Sequence, residues 1–197
     1  MDENTVRVVA IAGSLREESY TRPALRHALD AAEAAGASTE LVDLRELEIP
    51  LFDADDDEAG DASELARRVR EADAILLGTP MYHGSYSSVL KTALDYCGFD
   101  EFENKTVGLL AVSGGSFPIG ALDHLRVVCR ALDAWVLPHQ AAVPNAHSRF
   151  EGRELVDEDV RQRVETLGTR AVQFANIEPD PDSFESRENV GADERAG

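Results

Sequence analysis

The sequence predicts an α/β protein in which a five-stranded parallel sheet is covered by helices on both faces. Three observations carry this expectation. Apolar runs of strand length alternate with segments of helical period. The runs are apolar nearly throughout rather than at every second residue, which marks strands buried on both sides. The chain has 197 residues, enough for one domain with a substantial core, and only 6% are aromatic, so small aliphatic side chains must fill it.

The expected strands span residues 6–12, 38–43, 74–79 and 106–112, with a weaker one around 134–138 that Trp135 opens as a packing residue. Between them, Leu25, Ala28, Leu29 and Ala32 form an apolar helix stripe, with Pro23 tolerated in the first turn and Gly36 placed as a stop. Val89, Leu90, Ala93, Leu94 and Cys97 form a second stripe, and Leu122, Leu125, Val128, Cys129 and Leu132 a third. Val160, Val164, Leu167, Ala171 and Phe174 form the last. Residues 1–177 thus read as one domain. Residues 178–197, rich in Pro, Asp, Glu and Ser, hold too few apolar groups to order themselves and read as a disordered acidic tail. Cys97 and Cys129 sit at apolar helix positions and are expected to be inert, buried thiols, and the histidines lack metal-ligand spacing, so no metal site is expected.

With 19 basic and 38 acidic residues the net charge is −19, which argues against nucleic acid or an anionic membrane surface as partner. The acidic start Met1-Asp2-Glu3-Asn4 is unlike a signal peptide, and no apolar run approaches a membrane span, so a cytoplasmic location is expected. Lys91 and Lys105 are the only lysines. Abundant carboxylate with scarce lysine resembles proteins of a salt-adapted, halophilic cytoplasm. In molar salt the Debye length falls to about 3 Å and self-repulsion is screened, so stability should rise with salt. Six acids lie in residues 53–61 and a net five in the tail, which leaves −8 on the remainder, so the acidity is general.

In a parallel sheet of this kind ligands bind beyond the carboxyl ends of the strands. After the first strand comes Gly13-Ser14-Leu15-Arg16-Glu17-Glu18-Ser19-Tyr20-Thr21, opening a helix. Unpaired N–H groups at that helix start, the hydroxyls of Ser14, Ser19 and Thr21, and the guanidinium of Arg16 together suit a dianionic phosphate; a solvated loop with a helix cap is the simpler reading. After the third strand comes Pro80-Met81-Tyr82-His83-Gly84, and after the fourth Ser113-Gly114-Gly115. Glycine lets backbone approach a flat ligand, and Tyr82 offers a broad apolar face with a polar handle. A phosphate cradle beside two such loops predicts a phosphorylated planar cofactor, which on a five-stranded doubly wound sheet is most often FMN.

Gly13-Ser14-Leu15-Arg16 with Ser19, then Pro80-x-Tyr82 followed by Leu90-Lys91 and Asp95, then Ser113-Gly114-Gly115, resemble the NADPH-dependent FMN reductase family. The resemblance covers about residues 5–175. It implies a flavodoxin-like three-layer sandwich with strand order 2-1-3-4-5, non-covalent FMN, and a homodimer or homotetramer. It further implies hydride transfer from NADPH or NADH through FMN to a small acceptor: a free flavin, a quinone, an azo compound or a metal oxyanion. By the same resemblance Ser14, Arg16, Ser19 and Thr21 hold the phosphate, and Tyr20 beside them belongs to the cofactor site. Pro80, Met81, Tyr82, His83 and Gly84 line one side of the isoalloxazine, and Ser113, Gly114 and Gly115 lie near the other. Thr21 departs from the asparagine common in that family, but a threonine hydroxyl can still donate.

Because FMN carries the hydride chemistry, no side chain is singled out as catalytic. Backbone N–H groups of Met81 to Gly84 are candidate donors to the flavin edge. His83 reads either as a contact residue or, since histidine exchanges protons near neutrality, as a donor to a quinone. Lys91 and Asp95, four apart on one helix, should pair. Tyr86, Tyr96, Phe99 and Phe102 read either as dimer contacts or as core.

A flavodoxin-type electron carrier without its own NAD(P)H activity is the alternative, but its closely spaced Thr-Gly-Thr phosphate loop does not match Gly13 to Thr21. A receiver-like domain needs clustered acids where this strand ends in Ala12-Gly13-Ser14. A P-loop hydrolase needs Gly-Lys-Ser or Gly-Lys-Thr, and iron–sulfur relatives need a cysteine cluster. The chain contains none of these. If Arg16 makes a charged phosphate bond, Arg16→Ala should weaken FMN binding by roughly 1.5–3 kcal/mol in matched salt, as read by flavin fluorescence titration.

Overall fold

The computed structural model describes residues 5–175, so the acidic tail expected at 178–197 lies outside the described residues. In chain order the elements are β1 (Arg7–Ala12), α1 (Thr21–Ala34), β2 (Ser38–Asp43), α2 (Ala62–Arg70), β3 (Ala74–Pro80), α3 (Ser88–Asp95) and α4 (Phe99–Phe102). They continue with β4 (Thr106–Val112), α5 (Ile119–Ala131), β5 (Trp135–Val143), a short 3-10 turn, the two-residue strands β6 (Phe150–Glu151) and β7 (Glu154–Leu155), and α6 (Glu158–Gln173). The five long strands form a parallel sheet in the order β2-β1-β3-β4-β5, the flavodoxin-like arrangement expected.

Strand periodicity divides the core into two layers. Val8, Ala10 and Ala12 of β1 face one cluster with Leu25, Ala28 and Leu29 of α1 and Val164 and Leu167 of α6. Val9 and Ile11 face the other, with Leu65 and Val69 of α2, Leu90 and Leu94 of α3, and Leu122 and Leu125 of α5. Side chains two apart on a strand share a face, so the near-continuous apolar runs supply both layers at once. Gly168 sets the closest approach of helices: a Cβ there would lie 1.8 Å from the Ala28 carbonyl oxygen, so α1 and α6 meet backbone to backbone. Gly36, at φ +96°, ends α1 as the sequence suggested.

Several details differ from the sequence reading. β5 runs on to Val143, five residues past the expected end, because a register shift between Val107 and Leu109 lets pairing resume at Gln140. Pro138 is tolerated because this is an edge strand. Trp135 opens the strand but is half exposed and not a core residue, and Phe174 caps α6 half exposed as well, while Gly168 takes a buried place in the stripe. α2, α4 and the β6–β7 hairpin were not anticipated. Cys97 lies just past the end of α3. It and Cys129 are buried free thiols, and burial pushes both up to about 12. Lys91 pairs with Asp95 along α3 as expected. Of the four aromatic residues left open, Phe102 is fully buried core and Phe99 is exposed, while Tyr86 and Tyr96 are half-buried. No helix among the described residues is long and apolar enough to cross a membrane.

At the base of the sheet Glu40 of β2 is held by Arg7 of β1, at 2.7 Å, and by Arg68 of α2. Burial alone would raise the Glu40 carboxyl, but the hydrogen bonds from Arg7 and Arg68 outweigh it and hold the group below the ordinary carboxylate range. A carboxyl lowered on folding contributes stability above its unfolded value of about 4.3 and loses it as pH falls through the folded value. Glu40→Gln should therefore lower the melting temperature at neutral pH and lessen the loss of stability on acidification below about pH 4, measured by thermal melts across pH.

Candidate functional site

Gly13 continues β1 by one residue, its N–H donating to the Gly78 carbonyl of β3 at 2.8 Å. It is walled in: a Cβ would lie 2.7 Å from Cβ of Leu90 and 3.1 Å from Oγ of Ser87. Ser87 caps α3, its Oγ accepting from the Leu90 N–H at 3.2 Å and donating to the Gly13 carbonyl at 2.6 Å. Its own N–H donates to Oγ1 of Thr79, which donates to the Pro80 carbonyl. The first and third loops are thus tied at their roots.

Beyond Gly13 the backbone leaves its hydrogen-bonding partners. The N–H groups of Ser14 to Tyr20 donate to no acceptor among the described residues, whereas the Thr21 N–H donates to Oγ of Ser19 at 3.1 Å. Ser14 and Thr21 are 2% and 1% exposed, and neither hydroxyl has a hydrogen-bond partner among the described residues. Unpartnered donors collected at a helix N-terminus, with no acid in its first turn, form a site suited to an anion. Arg16 is exposed and its guanidinium pairs with nothing described. Tyr20 stacks on Phe150 of β6, ring centroids 4.9 Å apart.

Arg22, which the sequence reading passed over, reaches back under this loop. Nη1 donates to the Ser14 carbonyl at 3.2 Å and Nη2 to the Arg16 carbonyl at 2.7 Å and to that of Glu17. Nε faces Oδ2 of Asp43, at the end of β2, at 3.4 Å. Burial, the largest influence, lowers the Arg22 guanidinium from its ordinary value, with Asp43 opposing.

In the third-strand loop the Met81 N–H donates to Val112 at 2.8 Å, and Tyr82 and Ser85 exchange backbone bonds of 3.0 and 3.1 Å. They close a tight turn whose central residues, His83 (φ +50°) and Gly84 (φ +82°), are both left-handed, the geometry of a type I′ turn. Of the candidate N–H donors from Met81 to Gly84, Met81 and Tyr82 spend theirs on the fold, and His83 and Gly84 keep theirs. His83 is exposed at the turn tip, and Tyr82 is 48% exposed. The turn rests on α5, since a Cβ on Gly120 would lie 2.6 Å from the Gly84 carbonyl oxygen. His124 of α5 fixes its base, with Nδ1 2.9 Å from Oγ of Ser85 and its ring edge-on to Tyr86.

The fourth-strand loop is anchored at its start. Ser113 donates its N–H to Val143 at 3.0 Å and its hydroxyl to the Gly115 carbonyl at 2.6 Å, while Gly114 and Gly115 are exposed with open space around them. All the expected site residues, Ser14 to Thr21, Pro80 to Gly84 and Ser113 to Gly115, therefore lie at or just beyond the carboxyl ends of the adjacent strands β1, β3 and β4, with Pro80 closing β3 and Thr21 opening α1. Together these loops form an open shelf. Two shallow concavities lie elsewhere, one between the acidic loop and α2 at Asp57, Glu58, Arg70 and Tyr96, another on the outer face of α6. The first is lined by the carboxylates of Asp57 and Glu58 and the second lies away from the α6 N-terminus, so the chemistry of an anion favours the strand ends.

Arg22, Asp43, Thr79, Ser87 and His124 are the site-supporting residues that sequence patterns missed. One signal was available for Arg22, a cation in the first turn of a helix, where the macrodipole disfavours it.

This arrangement defines a flavodoxin-like protein with a run of unpartnered donors at the head of its sheet. The family described as NADPH-dependent FMN reductase matches residues 6–148, and the chain belongs to that family of FMN-dependent NAD(P)H oxidoreductases. It is 33% identical over 180 residues to the FMN-dependent NADPH-azoreductase of Staphylococcus aureus, covering 86% of this chain and 95% of the relative. Two solved structures share the fold. The apo form of the NADH:FMN oxidoreductase EMOB has a TM-score of 0.72 at 22% identity, covering 89% of this chain and 92% of that one. FerB, an NAD(P)H:acceptor oxidoreductase from Paracoccus denitrificans, has a TM-score of 0.72 at 20% identity, covering 87% and 97%.

Ser87→Ala removes the α3 cap and the tie to Gly13 together. It should cost about 1–2 kcal/mol of stability, measured by denaturant unfolding, and should also weaken FMN binding because the root of the cradle loosens.

Proposed function

We propose that this protein oxidises NADPH or NADH and reduces a small acceptor through FMN held on the shelf at the heads of β1, β3 and β4. The observation that carries this reading is the set of donors at the start of α1 that have no partner among the described residues: the hydroxyls of Ser14 and Thr21, on buried residues, beside the N–H groups of Ser14 to Tyr20. A phosphate dianion accepts from several such donors at once. Bound there, FMN supplies the hydride-transfer chemistry between nicotinamide and acceptor.

In this reading Ser14, Arg16, Ser19, Tyr20 and Thr21 receive the phosphate end, Arg16 adding a mobile positive charge from the surface. Pro80 to Gly84 flank the ring on one side, with the His83 and Gly84 N–H groups as donors to its polar edge. Ser113, Gly114 and Gly115 lie toward the other side, where the absence of side chains permits close approach. His83, held left-handed at an exposed turn tip, serves as a contact residue at the acceptor side. The open shelf suits a flat acceptor lying on the ring. The resemblance to the Staphylococcus aureus azoreductase favours azo compounds and quinones as the first acceptors to try, with free flavins and metal oxyanions next.

The exposed apolar side chains Leu51, Phe99 and Phe117 favour a homodimer or homotetramer, and the net charge of −19 favours a cytoplasmic protein working at high salt.

The test is an absorbance spectrum of the protein in molar KCl with FMN, followed anaerobically by NADPH and then by NADH. Loss of the bound-flavin band on addition of either donor is the expected result, and its rate ranks the donors. Bound flavin that stays oxidised with both would mark an electron carrier instead. Repeating the binding in dilute buffer should give weaker FMN retention and a lower melting temperature; equal stability in both would remove the salt-adaptation reading.

A further inference from the structure

Arg22 occupies a position where a cation is unfavourable, the first turn of α1 at the positive end of the helix dipole, yet its side chain is only 13% exposed and is fully engaged. A guanidinium is a planar fork of donors with no acceptor. Here the fork points at the carbonyl oxygens of Ser14, Arg16 and Glu17, and the Asp43 carboxylate, equally buried, faces its Nε edge. No peptide bond in the described chain is cis, so each carbonyl lies anti to the N–H of the next residue. Holding the carbonyls of Ser14, Arg16 and Glu17 therefore turns the N–H groups of Leu15, Glu17 and Glu18 away from Arg22, and none of the three has a partner among the described residues.

We propose that Arg22 is a positioning residue for the FMN phosphate: it braces the backbone of the β1–α1 loop so that successive N–H groups face the ligand, and Asp43 fixes the brace. Arg22 acts through the loop and not by touching phosphate, because its fork is spent on carbonyls. Asp43 also balances its charge, so the loop is shaped without adding net charge behind the site. This rests on the FMN reading of the cradle.

The experiment compares dissociation constants for FMN and for riboflavin, which lacks the phosphate, in wild type, Arg22→Met, Arg22→Lys and Asp43→Asn, each in dilute buffer and in molar KCl. Thermal melts report folding. Arg22→Met should weaken FMN about ten-fold or more while riboflavin changes little, and the loss should persist in molar KCl because a hydrogen-bonded scaffold is not screened. Arg22→Lys keeps the charge but not the fork, so it should recover only part of the loss; it also carries the test if Arg22→Met does not fold. Asp43→Asn should show a smaller loss of the same kind. Full FMN affinity in Arg22→Lys, a loss that disappears in molar KCl, or equal losses for FMN and riboflavin would each overturn the bracing role. Wild type that binds FMN no more tightly than riboflavin would instead overturn the phosphate cradle itself, and the proposal with it.

Discussion

The site depends on a close approach at Gly13, where β1 ends against the start of α3. There is no room for a side chain between the Gly13 backbone and Leu90 and Ser87, and this permits the Ser87 hydroxyl to reach the Gly13 carbonyl. One serine thereby caps a helix and fastens the loop that follows β1, while Thr79 fastens Ser87 to the end of β3. Packing of β1 against β3 and α3 is thus transmitted directly to the cradle. A parallel sheet gathers its carboxyl ends on one edge, and this contact converts that edge into a rigid mouth.

From that anchor, backbone accounting distinguishes structure from site. Part of the loops' polar groups is spent internally: Met81 on Val112, Tyr82 and Ser85 on each other, Ser113 on Val143 and Gly115. Among the N–H groups that have no partner among the described residues are a run from Ser14 to Tyr20, those of His83 and Gly84, and those of Gly114 to Phe117, beside the hydroxyls of Ser14 and Thr21. Donors without protein partners, gathered at a helix N-terminus, suit an anionic ligand that completes them. The Arg22 brace shows the other side of the same accounting, since the loop carbonyls find a partner that leaves the N–H groups turned away.

The strands, the main helices and all three loops were legible in the sequence because each rests on local pattern: continuous apolar runs, helical stripes, and glycine-rich breaks after strands. What escaped notice depends on distance in sequence. Arg22 meets Asp43 only because β1 and β2 are neighbours, and Ser85 meets His124 only because α5 packs beside the 82–85 turn. The continuation of β5 past Pro138 needed a register shift that no strand propensity encodes. α2 was hidden by its charge, since only Ala62, Leu65 and Val69 face the core while Arg67, Arg68 and Arg70 belong to ion pairs with distant elements and neighbours. The division of donors between Met81–Tyr82 and His83–Gly84 likewise follows from the turn type, which the dipeptide His-Gly signals only weakly.

The most direct measurement is an amide NMR titration of the 15N-labelled protein with FMN in molar KCl. The account predicts the largest shifts at Leu15, Glu17 and Glu18, with further shifts at His83 and Gly84 and smaller ones at Met81 and Tyr82, whose N–H groups are already bonded within the protein. Shifts centred instead on Asp57 to Arg70, around the concavity beside α2, with the β1–α1 loop unmoved, would contradict it.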